Sequence, residues 1–390
     1  MRRLIIGLAS GIALGYVAVR ARQSLRDLRA SEPALQPDPK AYGLLRRRLM
    51  LAGMARSLCE LGALAYGGAA ALAPRDGAAE SRLRRLAVLG AGLSVSALLD
   101  LAPSYVEGHA LERRYGLSKQ TAADWAADQA KGFGLTLAIS LPLLELLSFA
   151  IRRAPRTWPL LATAGTLPLL ILANVIAPNL IAPLFNTFEP LQGPLEGRLR
   201  ELATRYGAGD ANILRVDMSR QTEKANAYVT GLFGSKRIVL GDTLLREFQE
   251  REISFVVAHE LGHYVTRDVW RSVAAGTAGA ALVFFGARAC AARGPGSAGS
   301  SAGVARVAFA VSLLGLLLGP ALAALSRSRE RAADGFAIEA THDPAAGAEA
   351  FARLRDQNLA EDDPPRWMEV LFASHPSLGS RIARLRAVAG

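Results

Sequence analysis

The run His259, Glu260, Leu261, Gly262, His263 holds the densest chemistry in the chain. Residues four apart on a helix share one face, so this spacing lets two imidazoles bind one metal ion while Glu260 stands beside the open coordination position as a general base. Neutral imidazole nitrogen is a good zinc donor, and one Zn2+ per chain is the expected cofactor. With 5 histidines in the chain, chance formation of this pentad has odds on the order of one in several hundred. A catalytic zinc takes a third protein ligand and leaves its fourth position open. Glu330 is the candidate, in the polar run that follows the last long apolar segment. Asp334 follows one helical turn later on the same face, where its carboxylate can accept a hydrogen bond from a ligating imidazole and fix the tautomer. The bland alternative has Glu330 merely pairing with neighbouring arginines, and the His-Glu-x-x-His run outweighs it.

The elements that must hold these residues come next. Asp242 or Thr243 caps a helix whose apolar positions Leu244, Leu245, Phe248, Ile253, Val256 and Val257 lead to His263. Ahead of it, residues 213–217, 225–230 and 237–240 are short β-favouring runs, and the turn residues 231–236 separate the last two. This pattern predicts a small sheet containing a hairpin. Glu250, Arg251, Glu252, Arg267 and Asp268 flank the metal motif, so it belongs outside hydrocarbon, unlike the motif of an intramembrane protease.

Around this polar segment the chain is apolar, with 390 residues, 51% hydrophobic composition and a mean hydropathy of +0.20. Runs at 49–73, 86–106, 132–151, 158–176, 273–292 and 307–325 are long enough to cross a roughly 30 Å hydrocarbon core, which takes about 20 helical residues. The shorter run from Leu4 to Val19 follows Arg2 and Arg3 and lacks a small-x-small cleavage site before Arg20. It reads as a retained, tilted first span rather than a signal peptide, which brings the expected total to seven. The expected organisation is N-terminal membrane helices over 1–176 with a polar loop at 103–131, a first protease segment at 177–272, two membrane helices at 273–325, and a second protease segment at 326–390. The fold class is therefore a mainly α polytopic membrane protein with a small α+β zincin-like domain.

A formal net charge of +12 could suit nucleic acid, but the arginines cluster beside apolar spans, as at Arg46 to Arg48 and at Arg152 and Arg153. Membrane-flanking cations are the better reading. No nucleotide-binding signature stands out. Cys59 and Cys290 lie far apart in apolar segments, which indicates neither a disulfide framework nor a thiolate metal site. Arg56, Glu60, Asp100 and Glu145 fall within spans, where ionisable groups cost several kcal/mol unless they face protein or water. A hollow bundle satisfies them, and so does a structural salt bridge between Arg56 and Glu60. Seven spans put both protease segments on one side of the membrane, and Arg20, Arg22, Arg26, Arg29, Lys40 and Arg46 to Arg48 favour the cytoplasm for that side.

Further stretches extend the pattern: Ser326, Arg327, Glu330, Ala333 and Asp334; Ile181, Pro183, Leu184, Phe185, Asn186, Pro190 and Leu191; Tyr115, Gly116, Lys119, Gln120 and Thr121; Asn226, Ala227 and Tyr228; Arg237 to Leu240 with Asp242 and Thr243; and His375, Pro376, Arg381 and Ile382. From about Glu112 to its end the chain resembles the type 1 CAAX prenyl protease family. That resemblance implies an integral-membrane zinc endopeptidase acting on prenylated C-termini, built as a seven-helix barrel around a hydrated chamber that the protease domain closes at one end. It implies that Asn226, on an edge strand, helps hold the peptide backbone, and that His375 and Arg381 lie near the scissile carbonyl and support its developing charge. Thr187 departs from the lysine common in the family, which bears on substrate class. The expected partners are a peptide or protein substrate, prenylated or membrane-associated, and the lipid bilayer. Richness in Ala, Arg, Leu and Gly has a bacterial cast, so the expected location is a bacterial inner membrane. Two other functions compete: a heat-shock-type quality-control zinc protease, usually with fewer spans, and a transporter or scaffold carrying an inactive protease domain, which predicts a damaged metal site.

Overall fold

Residues 37–71, 80–291 and 297–390 are described by a computed structural model. Helix α1 (Pro39–Ala63) starts where Asp38 accepts hydrogen bonds from the amides of Lys40 and Ala41 and Pro39 supplies a helix-ready φ. It is followed by α2 (Arg82–Tyr105), α3 (Ala122–Arg153) and α4 (Trp158–Ile176). With the turns that extend them, and with the later α8 (Asp268–Ala291) and α9 (Ser301–Thr341), the described residues hold 6 helices long and apolar enough to cross a membrane. These match the six runs read from the sequence. The expected first span, Leu4 to Val19, lies outside the described residues. The polar stretch 103–131 is mostly helical rather than a loop, because the helix from Arg82 continues to Arg114 and α3 already begins at Ala122.

Leu98, Leu282 and Leu317 on these helices are 71%, 68% and 70% exposed. Such apolar surface is costly against water and costless against lipid tails. The four ionisable groups read within the spans, Arg56, Glu60, Asp100 and Glu145, are paired. Arg56 reaches Glu60 at 2.7 Å and also Asp100 on α2, while Arg85 grips Glu145 on α3 through two bonds of 2.6 and 2.8 Å. The salt-bridge reading of Arg56 and Glu60 thus describes the structure, extended by Asp100 to a neighbouring helix. A cavity of about 660 Å³ opens beside Arg56, Cys59 and Ser96, walled mainly by apolar side chains of α1, α2 and α9.

The polar part holds a four-stranded sheet of β1 (Phe188–Pro190), β2 (Asn212–Val216), β3 (Ala227–Thr230) and β4 (Arg237–Gly241), in the spatial order β1-β2-β4-β3. β1 and β2 are antiparallel, β2 and β4 parallel, and β3 and β4 form an antiparallel hairpin, so β3 lies on an open edge. Gly231 turns the hairpin at φ 94°, where a Cβ would stand 2.1 Å from the Ser235 carbonyl oxygen.

Helices α5 (Pro194–Arg205), α6 (Asp242–Glu247), α7 (Glu250–Val265), α10 (Pro344–Gln357), α11 (Arg366–Phe372) and α12 (Leu378–Ala389) complete the fold. Leu199, Ile213, Ile238, Leu240, Phe255, Val257, Leu261, Phe351 and Leu385 form its shared apolar core. The single helix expected from Asp242 to His263 is two helices. Phe248 and Gln249 are extended, and a capping box starts α7, with the Gln249 amide bonded to Glu252 at 2.7 Å. Glu252 is wholly buried and bonded to Arg353 of α10, which fixes that start in place. α9 runs unbroken through residue 325, so one rod of 41 residues carries both the last membrane span and Glu330.

Candidate metal centre

Helix α7 presents His259 and His263 on one face, and α9 crosses it with Glu330 pointing at both. The His259 Nε2 to Glu330 Oε2 distance is 3.3 Å, as is that from His263 Nε2 to Glu330 Oε1. The two helices come this close because Gly262 has no side chain. A Cβ there would stand 3.1 Å from Ala333 Cα and 3.2 Å from Phe336 Cβ.

Each imidazole is held from behind at its other nitrogen. Asp334 Oδ1 lies 3.0 Å from His259 Nδ1, and Asp268 Oδ2 lies 2.8 Å from His263 Nδ1. Both Nε2 atoms are thereby turned towards Glu330, the orientation that a metal-ligating histidine needs. Asp334 is itself buried and bound by Arg381, at 2.5 Å from Nη2 and 3.1 Å from Nε, and by Arg384. The Arg381 guanidinium also stacks 4.0 Å from the centroid of Phe351.

The donor set fits a metal ion. One ligand atom from each of His259, His263 and Glu330 lies within 4.8 Å of the others. Glu330 Oε2 is buried and makes no hydrogen bond, although an imidazole nitrogen is 3.3 Å away. A buried carboxylate oxygen without a proton donor is costly, and a shared cation resolves that cost.

Glu260 stands beside the hairpin, since α7 packs against edge strand β3, and the Val229 backbone favours its charged form. Burial raises its pKa above the ordinary carboxylate value, with Glu330 adding to the rise, while His259, His263 and the Val229 amide pull it back. For the imidazoles burial opposes charge, yet the carboxylates outweigh it. His259 is raised by Asp334 and Glu330, and His263 is pushed up to about 9 by Glu330 and Asp268.

His375 and Arg381 join the same cluster from the C-terminal segment. His375 Nε2 lies 3.2 Å from Glu330 Oε1 on the solvent side, with Nδ1 2.8 Å from Ser374 Oγ. Partial desolvation by the surrounding site, with Arg381 and the two other imidazoles, holds its pKa below the ordinary imidazole value against the pull of Glu330. Arg381 is buried, with Nη1 3.7 Å from Glu330 Oε2 and the rest of its guanidinium committed to Asp334. Asn226 is exposed immediately before β3, and its carbonyl accepts the Gly241 amide at 2.9 Å. Sequence reasoning missed the orienting role of Asp268, treating it only as a flanking charge. It also missed Arg384, Phe351 and the Val229 amide, none of which has a helical spacing to the metal motif.

Comparison with known proteins extends these observations. Residues 190–389 match the model of Peptidase family M48, and residues 40–187 match that of the CAAX prenyl protease N-terminal, five membrane helices. The chain belongs to peptidase family M48. This M48 peptidase is 32% identical over 302 residues to an uncharacterized metalloprotease, YhfN, of Bacillus subtilis, covering 74% of this chain and 70% of that one. It is 30% identical over 319 residues to a CAAX prenyl protease 1 homolog of Arabidopsis thaliana, covering 79% and 74%. With CAAX prenyl protease 1 of Saccharomyces cerevisiae the identity is 39% over 181 residues, 46% of this chain and only 40% of the yeast protein. The crystal structure of S. mikatae Ste24p superposes with a TM-score of 0.76 over 98% of each chain, at 25% identity. The M48 peptidase is thus an integral membrane protein and a metal-dependent hydrolase of peptide bonds.

Proposed function

We propose that the metal is zinc, held by His259, His263 and Glu330, and that the peptidase cleaves near the C-termini of prenylated, CAAX-type peptides at a bacterial inner membrane, with its catalytic side in the cytoplasm. The observation that carries the reading is the convergence of both Nε2 atoms and the Glu330 carboxylate beside Glu260 at an open sheet edge. Two imidazoles and one carboxylate form a donor set that zinc peptidases use. A zinc ion held there supplies Lewis acidity to the peptide carbonyl and to water.

The chain's own residues do the rest. Glu260, its pKa raised by burial, takes the proton of the attacking water and delivers it to the leaving amine nitrogen. Neutral His375, accepting at Nδ1 from Ser374, donates from Nε2 to the tetrahedral oxyanion. Arg381 supports that charge from behind, while its bonds to Asp334 hold Asp334 against His259. An extended substrate adds to β3, and the Asn226 side chain grips its backbone. The prenyl specificity is supported by the relatives named as CAAX prenyl proteases, and the cytoplasmic orientation by the arginine-rich segment 20–48.

The test is cleavage of a farnesylated CAAX peptide and its unprenylated twin by purified protein in detergent, with and without a zinc chelator. Chelator-sensitive cleavage that favours the prenylated peptide is the expected result. Equal cleavage of both keeps the metallopeptidase and moves its substrates towards general membrane-protein turnover.

A further inference from the structure

The open edge of β3 is stopped at one end by a side chain. Two bonds fix the side of this segment that faces β4: the Gly241 amide donates to the Asn226 carbonyl at 2.9 Å, and Thr243 Oγ1 donates to the Lys224 carbonyl at 2.9 Å. In extended chain, successive residues turn their main-chain groups to opposite sides. Ala225, Ala227 and Val229 therefore turn theirs to the open edge. Helix α7, which carries Glu260, packs against β3. At Ala225 the open side is taken entirely by Asn358, whose Oδ1 accepts the Ala225 amide at 2.9 Å and whose Nδ2 donates to the Ala225 carbonyl at 3.2 Å. One acceptor and one donor in this pose are what a residue of a neighbouring strand would offer.

The carboxamide stands on a firm base. Asn358 closes α10, with its own amide bonded to the Leu354 carbonyl at 3.0 Å, and Leu359 at φ 48° then turns the chain away. Gln357, beside it, donates to the Glu223 carbonyl at 2.8 Å. Glu223 to Ala225 and the end of α10 are thus tied together at two adjacent residues.

We infer that Asn358 is a strand-mimicking stop that limits how many residues a substrate carries beyond the scissile bond. The inference rests on the proposal that substrate adds to β3. A peptide added antiparallel, the more stable pairing, runs from Val229 towards Ala225, so its residues after the scissile bond approach Asn358. From Ala227 to Ala225 is about 7 Å, two strand residues at ~3.4 Å each. A chain that continues in register past this point finds both edge groups of Ala225 already satisfied. It must displace the carboxamide or leave the edge, whereas a chain that ends there keeps every pairing.

The experiment uses the full-length protein in detergent and a peptide series identical up to the scissile bond and lengthened one residue at a time beyond it. For the wild-type protein, kcat/KM is expected to fall once the peptide is long enough beyond that bond to reach Ala225. In Asn358→Ala the ratio of kcat/KM for long over short peptides rises about tenfold, through the KM of the long ones, with metal content unchanged. Asn358→Asp keeps the acceptor for the Ala225 amide but loses the donor, and falls between the two. A flat wild-type length profile overturns the stop, and that profile decides the matter even if Asn358→Ala does not fold. Equal loss of rate on every peptide in Asn358→Ala also overturns it, because general destabilisation does that. Absence of any chelator-sensitive cleavage by the wild-type protein overturns the substrate reading and the stop with it.

Discussion

Asp268 and Asp334 approach the paired imidazoles from different elements, and each makes one Nε2 available by occupying the opposite nitrogen. Asp268→Asn removes the charge behind His263 and is expected to weaken metal binding about 10–100-fold, read by competition with a chromophoric chelator. Glu260→Gln is expected to keep its metal and lose about 10²–10⁴-fold in turnover, whereas Glu330→Ala loses metal and turnover together. Full metal occupancy in Glu330→Ala would remove Glu330 from the ligand set. His259, Glu260 and His263, and the pair Glu330 and Asp334, were legible because helical spacing converts directly into a shared face. Asp268 was not, because it returns to His263 through a turn at Arg267, a residue at φ 57° that no periodicity announces. Asn358 was hidden for a related reason, since it meets Ala225 across 133 residues of chain.

Among elements, the contact that sets the geometry of the site is α7 against α9 at Gly262. A methyl group there would press on Ala333 and Phe336 and separate the two imidazoles from Glu330. Gly262→Ala is expected to cost about 1–3 kcal/mol of stability and to reduce metal affinity, both measurable by thermal unfolding with and without added zinc. Retained metal affinity with an unchanged melting temperature would refute the close packing. The hairpin and the metal-bearing helix could be read from alternation and apolar spacing. The break between α6 and α7 could not, because Phe248 continues the apolar pattern while its backbone leaves the helix. Strand β1 went unread because three residues are too few to carry an alternation.

Across the whole molecule, ion pairs tie the membrane helices to one another. Glu145→Leu leaves the Arg85 guanidinium buried without its carboxylate and is expected to cost about 3–5 kcal/mol. The double variant Arg85→Met, Glu145→Leu regains most of that stability in thermal unfolding in detergent. A single variant as stable as the double would show that Arg85 has another outlet for its charge. The six spans were legible from run length alone, since nothing but hydrocarbon asks for so many consecutive apolar residues. Which helix answers which charge was not, because Arg85 and Glu145 lie on different spans, 60 residues apart.

The proposed metal ligands are divided by two membrane helices: His259 and His263 precede α8, and Glu330 stands near the far end of α9. A nascent chain therefore makes its imidazoles well before its carboxylate, and His375 and Arg381 follow later still. Hydrolytic competence arrives only after α8 and α9 have entered the bilayer and brought the two halves together. The topology thus acts as a form of latency, in which membrane insertion does the work that removal of a propeptide does in secreted zymogens. A chain that fails to insert is a harmless one.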